Sequence, residues 1–194
     1  MIVLGLTGSI GMGKSKAASM LKRLGVPVHD SDRAVHKALH KGKAFEAVAK
    51  LFPSTLIDGR IDRKTLGGIV FKDKAALKKL ESILHPAAKD SQKKFVKSMQ
   101  RLGKRAVALD IPLLFETGAE ERVDYVICVT APYAIQRRRV LARSNMNEEK
   151  FKSILASQMQ DRKKRDLSDF VVQTGMGQAL TYSQLRKILK TVGV

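Results

Sequence analysis

The segment Gly8-Ser9-Ile10-Gly11-Met12-Gly13-Lys14-Ser15 fits G-x-x-x-x-G-K-[ST], and no other stretch restricts the fold as strongly. Glycines let such a loop curl until successive backbone N–H groups face one anion. A helix that follows adds the positive end of its dipole. Lys14 then reaches the β- and γ-phosphates of a nucleotide, and the Ser15 hydroxyl is a ligand for Mg²⁺. The flanks agree with this reading. Ile2 to Thr7 is an apolar run expected as a buried strand. Ala17, Ala18, Leu21 and Leu24 recur at helical spacing, and Gly25 is a stop signal. Val26 to His29 is expected as a second strand. A β-loop-α-β opening implies an α/β fold with a parallel sheet covered by helices.

From Ala34 to Pro86 the texture changes. No strand is expected there, and Leu77, Leu80 and Leu84 mark one face of an amphipathic helix. Pro86 is expected to open the next helix, which carries Phe95, Met99 and Leu102 and stops at Gly103. Three further strands are expected: Ala106 to Leu109, ending at Asp110; Tyr125 to Val129; and Phe170 to Val172. Between the last two, residues 134–166 carry Arg137-Arg138-Arg139, Arg143 and Arg162-Lys163-Lys164-Arg165, a basic helical segment. Leu185, Ile188, Leu189 and Val192 mark a terminal helix packed on the sheet.

Many proteins carry a phosphate loop, and other features narrow the class. There is no N-K-x-D element, and Asp110-Ile111-Pro112-Leu113 lacks the D-x-x-G turn of a GTPase switch. The chain, at 194 residues, has no room for the second domain of a motor or helicase. A small-molecule kinase fits best. Its helical insert would hold the acceptor, and its Arg-rich segment would close as a lid that excludes water. The net charge of +19 favours anionic partners, but no zinc-finger or RNP pattern points to a specific nucleic acid. A basic nucleic-acid-binding ATPase and a nucleoside monophosphate kinase are the competing readings. The single Cys128, inside Tyr125-Val126-Ile127-Cys128-Val129, is expected as a buried small hydrophobe in a chain of the reducing cytoplasm. No apolar run reaches the ~20 residues of a membrane span, and the N-terminus lacks the basic region of a signal peptide.

Asp30-Ser31-Asp32 follows the second strand. Asp58-Gly59-Arg60-Ile61-Asp62-Arg63, Leu66, Val70-Phe71, Leu80-Glu81 and Leu84-His85-Pro86 lie in the helical insert. Pro112-Leu113-Leu114-Phe115-Glu116 follows the third strand, and Gln136, Arg139, Arg143, Gln158 and Lys164 are spaced along the basic segment. Together with the phosphate loop these residues resemble the dephospho-CoA kinase family: in turn its D-x-D, its acceptor-binding region, its P-L-L-x-E and the spacing of its lid. The similarity runs from the phosphate loop to about Gly175. The resemblance implies ATP-dependent phosphorylation of the ribose 3′-hydroxyl of dephospho-CoA, with Mg²⁺. It also implies a five-stranded parallel core, formed by 1–31, 87–133 and 167–194, a helical acceptor-binding insert at 32–86 and a lid at 134–166. The expected partners are ATP and dephospho-CoA, in a monomer or small homo-oligomer without a membrane. Three positions depart from the family pattern: His36 replaces an Arg, Ser144 an Asp, and Gln173-Thr174-Gly175 an Asn-x-Gly.

Candidate roles follow residue by residue. Gly8, Gly11, Met12, Gly13, Lys14, Ser15 and Lys16 form the ATP-binding loop, with Gln173 near the adenine by resemblance. Arg139 and Arg143, four apart, are expected on one helical face as clamps on the phosphates. Asp110 ends a parallel strand, where ligands gather, and is expected to hold Mg²⁺ with Ser15. Asp32 is the candidate base for the acceptor hydroxyl, with Asp30 as its rival on the same face of an extended segment. The plainer alternative is that Asp32 caps the helix after it. By resemblance Arg63, His85, Leu113 and Glu116, with Asp32, contact the acceptor. Asp62 and Arg63 are expected to form a local pair.

Overall fold

The computed structural model describes residues 1–70 and 72–194; Phe71 of the acceptor-region pattern lies outside them. The chain divides into two compact units, Met1–His29 with Ser98–Val194, and Asp30–Lys97.

The first unit is built on a sheet of β1 (Ile2–Thr7), β2 (Val28–Asp30), β5 (Ala106–Asp110), β6 (Tyr125–Thr130) and β7 (Phe170–Gln173). Among the described residues it has five strands in the order β2-β5-β1-β6-β7. β1 pairs in parallel with β5 and with β6, and β6 in parallel with β7. The central strands are buried on both faces, which explains why β5 reads Ala-Val-Ala-Leu-Asp without alternation. Helices α1 (Lys14–Arg23) and α9 (Gln178–Thr191) contribute Ala17, Leu21, Leu185 and Leu189 to the core around Leu4, Leu6, Ile127 and Val172. The basic segment forms α6 (Tyr133–Leu141), α7 (Glu148–Ser157) and α8 (Asp161–Asp166).

The second unit holds α2 (Ser31–Ala38), α3 (Lys43–Leu51), a hairpin of β3 (Leu56–Ile57) and β4 (Arg60–Ile61), α4 (Arg63–Val70) and most of α5 (Lys74–Arg101). Its core gathers Leu39, Val48, Phe52, Leu66, Val70 and Leu80. Three expectations fail along this stretch and at its end. The hairpin was not expected, yet Asp58 and Gly59 sit between its strands at φ 47° and 71°, both left-handed. Asp-Gly is the usual residue pair for a two-residue turn of this kind. Pro86 does not open a helix but lies inside α5. An interior proline costs roughly 3 kcal/mol through its missing N–H and its clash with the preceding turn. Burial holds the helix on both sides of it: Ala76 and Leu80 pack in the core before it, and after it Gln92 Nε2 donates to Ser31 Oγ at 2.9 Å. Leu102, expected on the apolar face, falls after α5 and is exposed.

Cys128 is fully buried on β6, as its apolar neighbours imply. Burial, reinforced by nearby Asp161, pushes its thiol up from 9.0 to about 12. The folded thiol is therefore protonated at neutral pH, and an aromatic disulfide reagent at pH 8 should label Cys128 only after denaturant is added. Rapid labelling of the native chain would contradict this burial. The unfolded thiol ionises first, so the contribution of this group to stability is intact below pH 9 and declines as pH rises toward 12.

Candidate active site

The phosphate loop leaves β1 at Thr7 and enters α1 at Lys14. Gly11 and Gly13 take φ of 78° and 89°, where side chains are strained. Space forbids side chains there as well. A Cβ on Gly13 would stand 2.8 Å from Thr174 Oγ1, and one on Gly11 2.9 Å from the Gln136 carbonyl. Lys16 N and Ala17 N both donate to the Gly13 carbonyl at 3.1 Å, which starts α1. Met12 turns inward, 3% exposed, and its sulfur accepts from Ala131 N. Met12 therefore belongs to the loop through its backbone, while its side chain is core. Ser15 and Lys16 are exposed on the first turn of α1.

Lys14 Nζ donates to Asp110 Oδ1 at the end of β5. Both side chains are largely buried, 15% and 11% exposed. In the sheet Asp110 lies in register with Leu6 of β1, so the strand that ends in the loop and the strand that ends in the carboxylate are neighbours. Arg139 reaches the phosphate loop from α6. Its guanidinium donates to Thr174 Oγ1 at 2.9 Å, to the Thr174 carbonyl at 2.7 Å and to the Gly11 carbonyl at 3.4 Å. The Thr174 hydroxyl in turn donates to the Met12 carbonyl at 2.7 Å. Thr174 thus ties β7, the loop and Arg139 together. A cleft of about 250 Å³ opens beside them, and Lys16, Met20, Arg139, Thr174, Gln178 and Thr181 line it together with Gly13.

Gln173 lies at the end of β7. Its N–H donates to Gln184 Oε1 at 3.0 Å, and its carbonyl accepts from the Thr181 hydroxyl at 3.1 Å. Thr174, Gln178 and Thr181 were not singled out from the sequence. The hydroxyl of Thr174 takes its meaning only from partners more than thirty residues away. Arg143 does not share a helical face with Arg139. α6 ends at Leu141, and Arg143 sits in the turn beyond it, exposed, with its N–H donating to the Val140 carbonyl. The next helix begins only after Asn147, which caps it through Lys150 N.

Glu116 and Leu113 follow β5. Leu113 is 37% exposed, next to the fully buried Leu114. Glu116 Oε1 accepts from Lys164 Nζ and from Met159 N, both at 2.8 Å.

In the second unit, Asp30 and Asp32 differ in role. Asp30 ends β2 and caps α2, its Oδ1 accepting from Arg33 N at 2.9 Å. Asp32 lies within the first turn of α2 and is exposed. The two are not on one extended face, and Asp32 is not the cap, because helical geometry begins at Ser31. Asp62 does not pair with Arg63 but caps α4: Thr65 N donates to Asp62 Oδ1 at 2.7 Å. The Thr65 side chain, and then its backbone N–H, hold the Asp62 carboxyl below its ordinary value. Arg63 instead donates to His36 Nδ1 at 3.2 Å. The arginine that the family pattern has at 36 could not accept that bond. His85 is exposed along α5. Among the described residues no helix is long and apolar enough to cross a membrane.

A family model for dephospho-CoA kinase matches residues 2–178. The dephospho-CoA kinase of Mesorhizobium japonicum is 54% identical over 177 residues, covering 91% of this chain and 89% of the relative. Two solved structures are similar along the chain. The protein TT1252 of Thermus thermophilus has a TM-score of 0.88 at 34% identity, covering 100% of this chain and 98% of that one. The dephospho-CoA kinase of Campylobacter jejuni has a TM-score of 0.73 at 30% identity, covering 98% and 96%.

Proposed function

The chain belongs to the dephospho-CoA kinase family, and from that premise we propose how its residues divide the work. The reaction is ATP-dependent phosphorylation of dephospho-CoA, the last step of coenzyme A synthesis. The acceptor atom is the ribose 3′-hydroxyl. The observation that carries the reading is the convergence of Lys14, Asp110 and Arg139 at the phosphate loop.

The loop amides and the N-terminus of α1 hold the phosphates of ATP. Its base enters the cleft between α1 and the start of α9, beside Thr174 and Gln178. Gln173 acts there through its backbone, which orders the turn. Lys14 exchanges Asp110 for the phosphates and neutralises charge that moves toward the β–γ bridge. Arg139 covers the same charge from the side of α6, and Arg143 reaches it from the following turn. Asp32 accepts the proton of the attacking hydroxyl. Arg63, His85 and Leu113 bind the acceptor within the segment 32–86 and the loop after β5, and residues 134–166 close over the phosphates.

The hydroxyl of Ser15 and the carboxylate of Asp110 are hard oxygen donors that suit Mg²⁺. The fold already holds a cation, the Lys14 ammonium, against that carboxylate, so the site accommodates positive charge. Bound there, Mg²⁺ would neutralise phosphate charge.

The direct test is coupled ADP release by the purified chain with ATP, Mg²⁺ and either dephospho-CoA or a nucleoside monophosphate. Turnover should require dephospho-CoA; equal turnover with a monophosphate would refute the acceptor assignment. Arg139→Ala should lower kcat about 10²-fold with a smaller change in the KM for ATP, because its charge matters most as charge develops on the transferred group. A change confined to KM would make Arg139 a ground-state contact only.

A further inference from the structure

Ile10 does not aim its peptide groups into the phosphate cradle. Its N–H donates to Gln158 Oε1 at 3.0 Å, and its carbonyl accepts from Gln136 Nε2 at 2.8 Å. Both glutamines come from the basic segment, Gln136 from α6 and Gln158 from the residue after α7. The conformation of the loop at Ile10 therefore depends on where the short turn between α7 and α8 is held.

That turn is pinned by an unusual group. The Lys164 side chain is 0% exposed. Its ammonium donates to Glu116 Oε1 at 2.8 Å and to the Pro112 carbonyl at 3.1 Å. The same Glu116 oxygen accepts from Met159 N, directly after Gln158. The same Pro112 carbonyl accepts from the hydroxyl of Thr7, the last residue of β1. A buried ammonium is costly to desolvate, and an apolar side chain of its volume packs at least as well. Its value here lies in direction: one cation holds α8, the loop after β5 and the turn at 158–159 in one arrangement.

We propose that Lys164 and Glu116 are positioning residues. Together they anchor the Gln158–Met159 turn, and Gln158 carries that order to the Ile10 peptide of the phosphate loop. This inference deepens the phosphate-loop reading above and rests on it. It also gives Glu116 a role other than acceptor contact.

The test uses the full chain and ADP binding by calorimetry, alongside the KM for dephospho-CoA. Gln158 lies outside the core, so Gln158→Ala folds. It should weaken ADP about fivefold, the worth of one hydrogen bond, and leave the KM for dephospho-CoA unchanged. Lys164→Met should weaken ADP similarly, and the double variant should bind no more weakly than the poorer single one, because both act along one route. Should Lys164→Met not fold, Glu116→Gln takes its place with the same expectation. Wild-type ADP affinity in Gln158→Ala overturns the proposal. So do multiplying effects in the double variant, or a Glu116→Gln that raises the KM for dephospho-CoA with ADP affinity intact. Wild-type ADP binding checks the loop itself, and its absence overturns both readings.

Discussion

Lys14→Ala is expected to lower kcat by about 10³-fold or more, the scale of losing a preorganised charge from a phosphoryl-transfer site. The ammonium sits at the mouth of the loop, held by Asp110. Phosphate oxygens carry more charge than one carboxylate, so ATP competes for the lysine, and the competition sharpens as the β–γ bridge gains charge. Lys14 opens α1 at the edge of the loop and is not one of the core hydrophobics, so circular dichroism of the variant should match the wild type. Its melting temperature should fall modestly, because Asp110 loses a cation at a site only 11% exposed. Lys14→Met, with a similar stem, should behave the same way. Turnover near the wild-type rate in either folded variant would remove the phosphate loop from the mechanism.

Asp32→Asn is expected to cost about 10³-fold in kcat, within the range for loss of a general base. A sugar hydroxyl is a weak nucleophile, and asparagine keeps the size of aspartate while being a very poor base. The fold should not register the change. Asp32 is exposed in the first turn of α2, and the cap of that helix is Asp30. Asparagine caps about as well as aspartate, so Asp30→Asn should also fold. The two variants therefore compare chemistry alone. Normal phosphotransfer by Asp32→Asn, together with collapse in Asp30→Asn, would transfer the role of base to Asp30.

The phosphate loop was legible from residues 8–15 because its chemistry is local: glycines, a lysine and a hydroxyl act at fixed spacing along one turn. The strands of the sheet were legible for a related reason. Parallel strands are buried on both faces, and a run such as Ala106 to Leu109 reads as apolar without help from elsewhere. The terminal helix followed from the period of Leu185, Ile188 and Leu189, which all lie in the core. Family resemblance added the acceptor and the reaction, which periodicity cannot express. The Asp58-Gly59 turn was present in the sequence as a hairpin signal, but two-residue strands are too short to show alternation.

Other features depend on partners distant in sequence. Packing of Leu80 and the bond from Gln92 to Ser31 carry α5 through Pro86 against the local preference of proline. The end of α6 at Leu141 separates Arg143 from Arg139, although their spacing suggests one face. Thr174 reads as an ordinary threonine until the fold sets it against Arg139 and Met12. Lys164 is one of four consecutive basic residues, and only the tertiary structure selects it for burial beside Glu116. Spacing along the chain determined which groups can bind phosphate. Which charges are desolvated, and which carbonyls they meet, was decided when segments far apart in sequence packed together, because the cost of burying a charge depends on the partners that satisfy it.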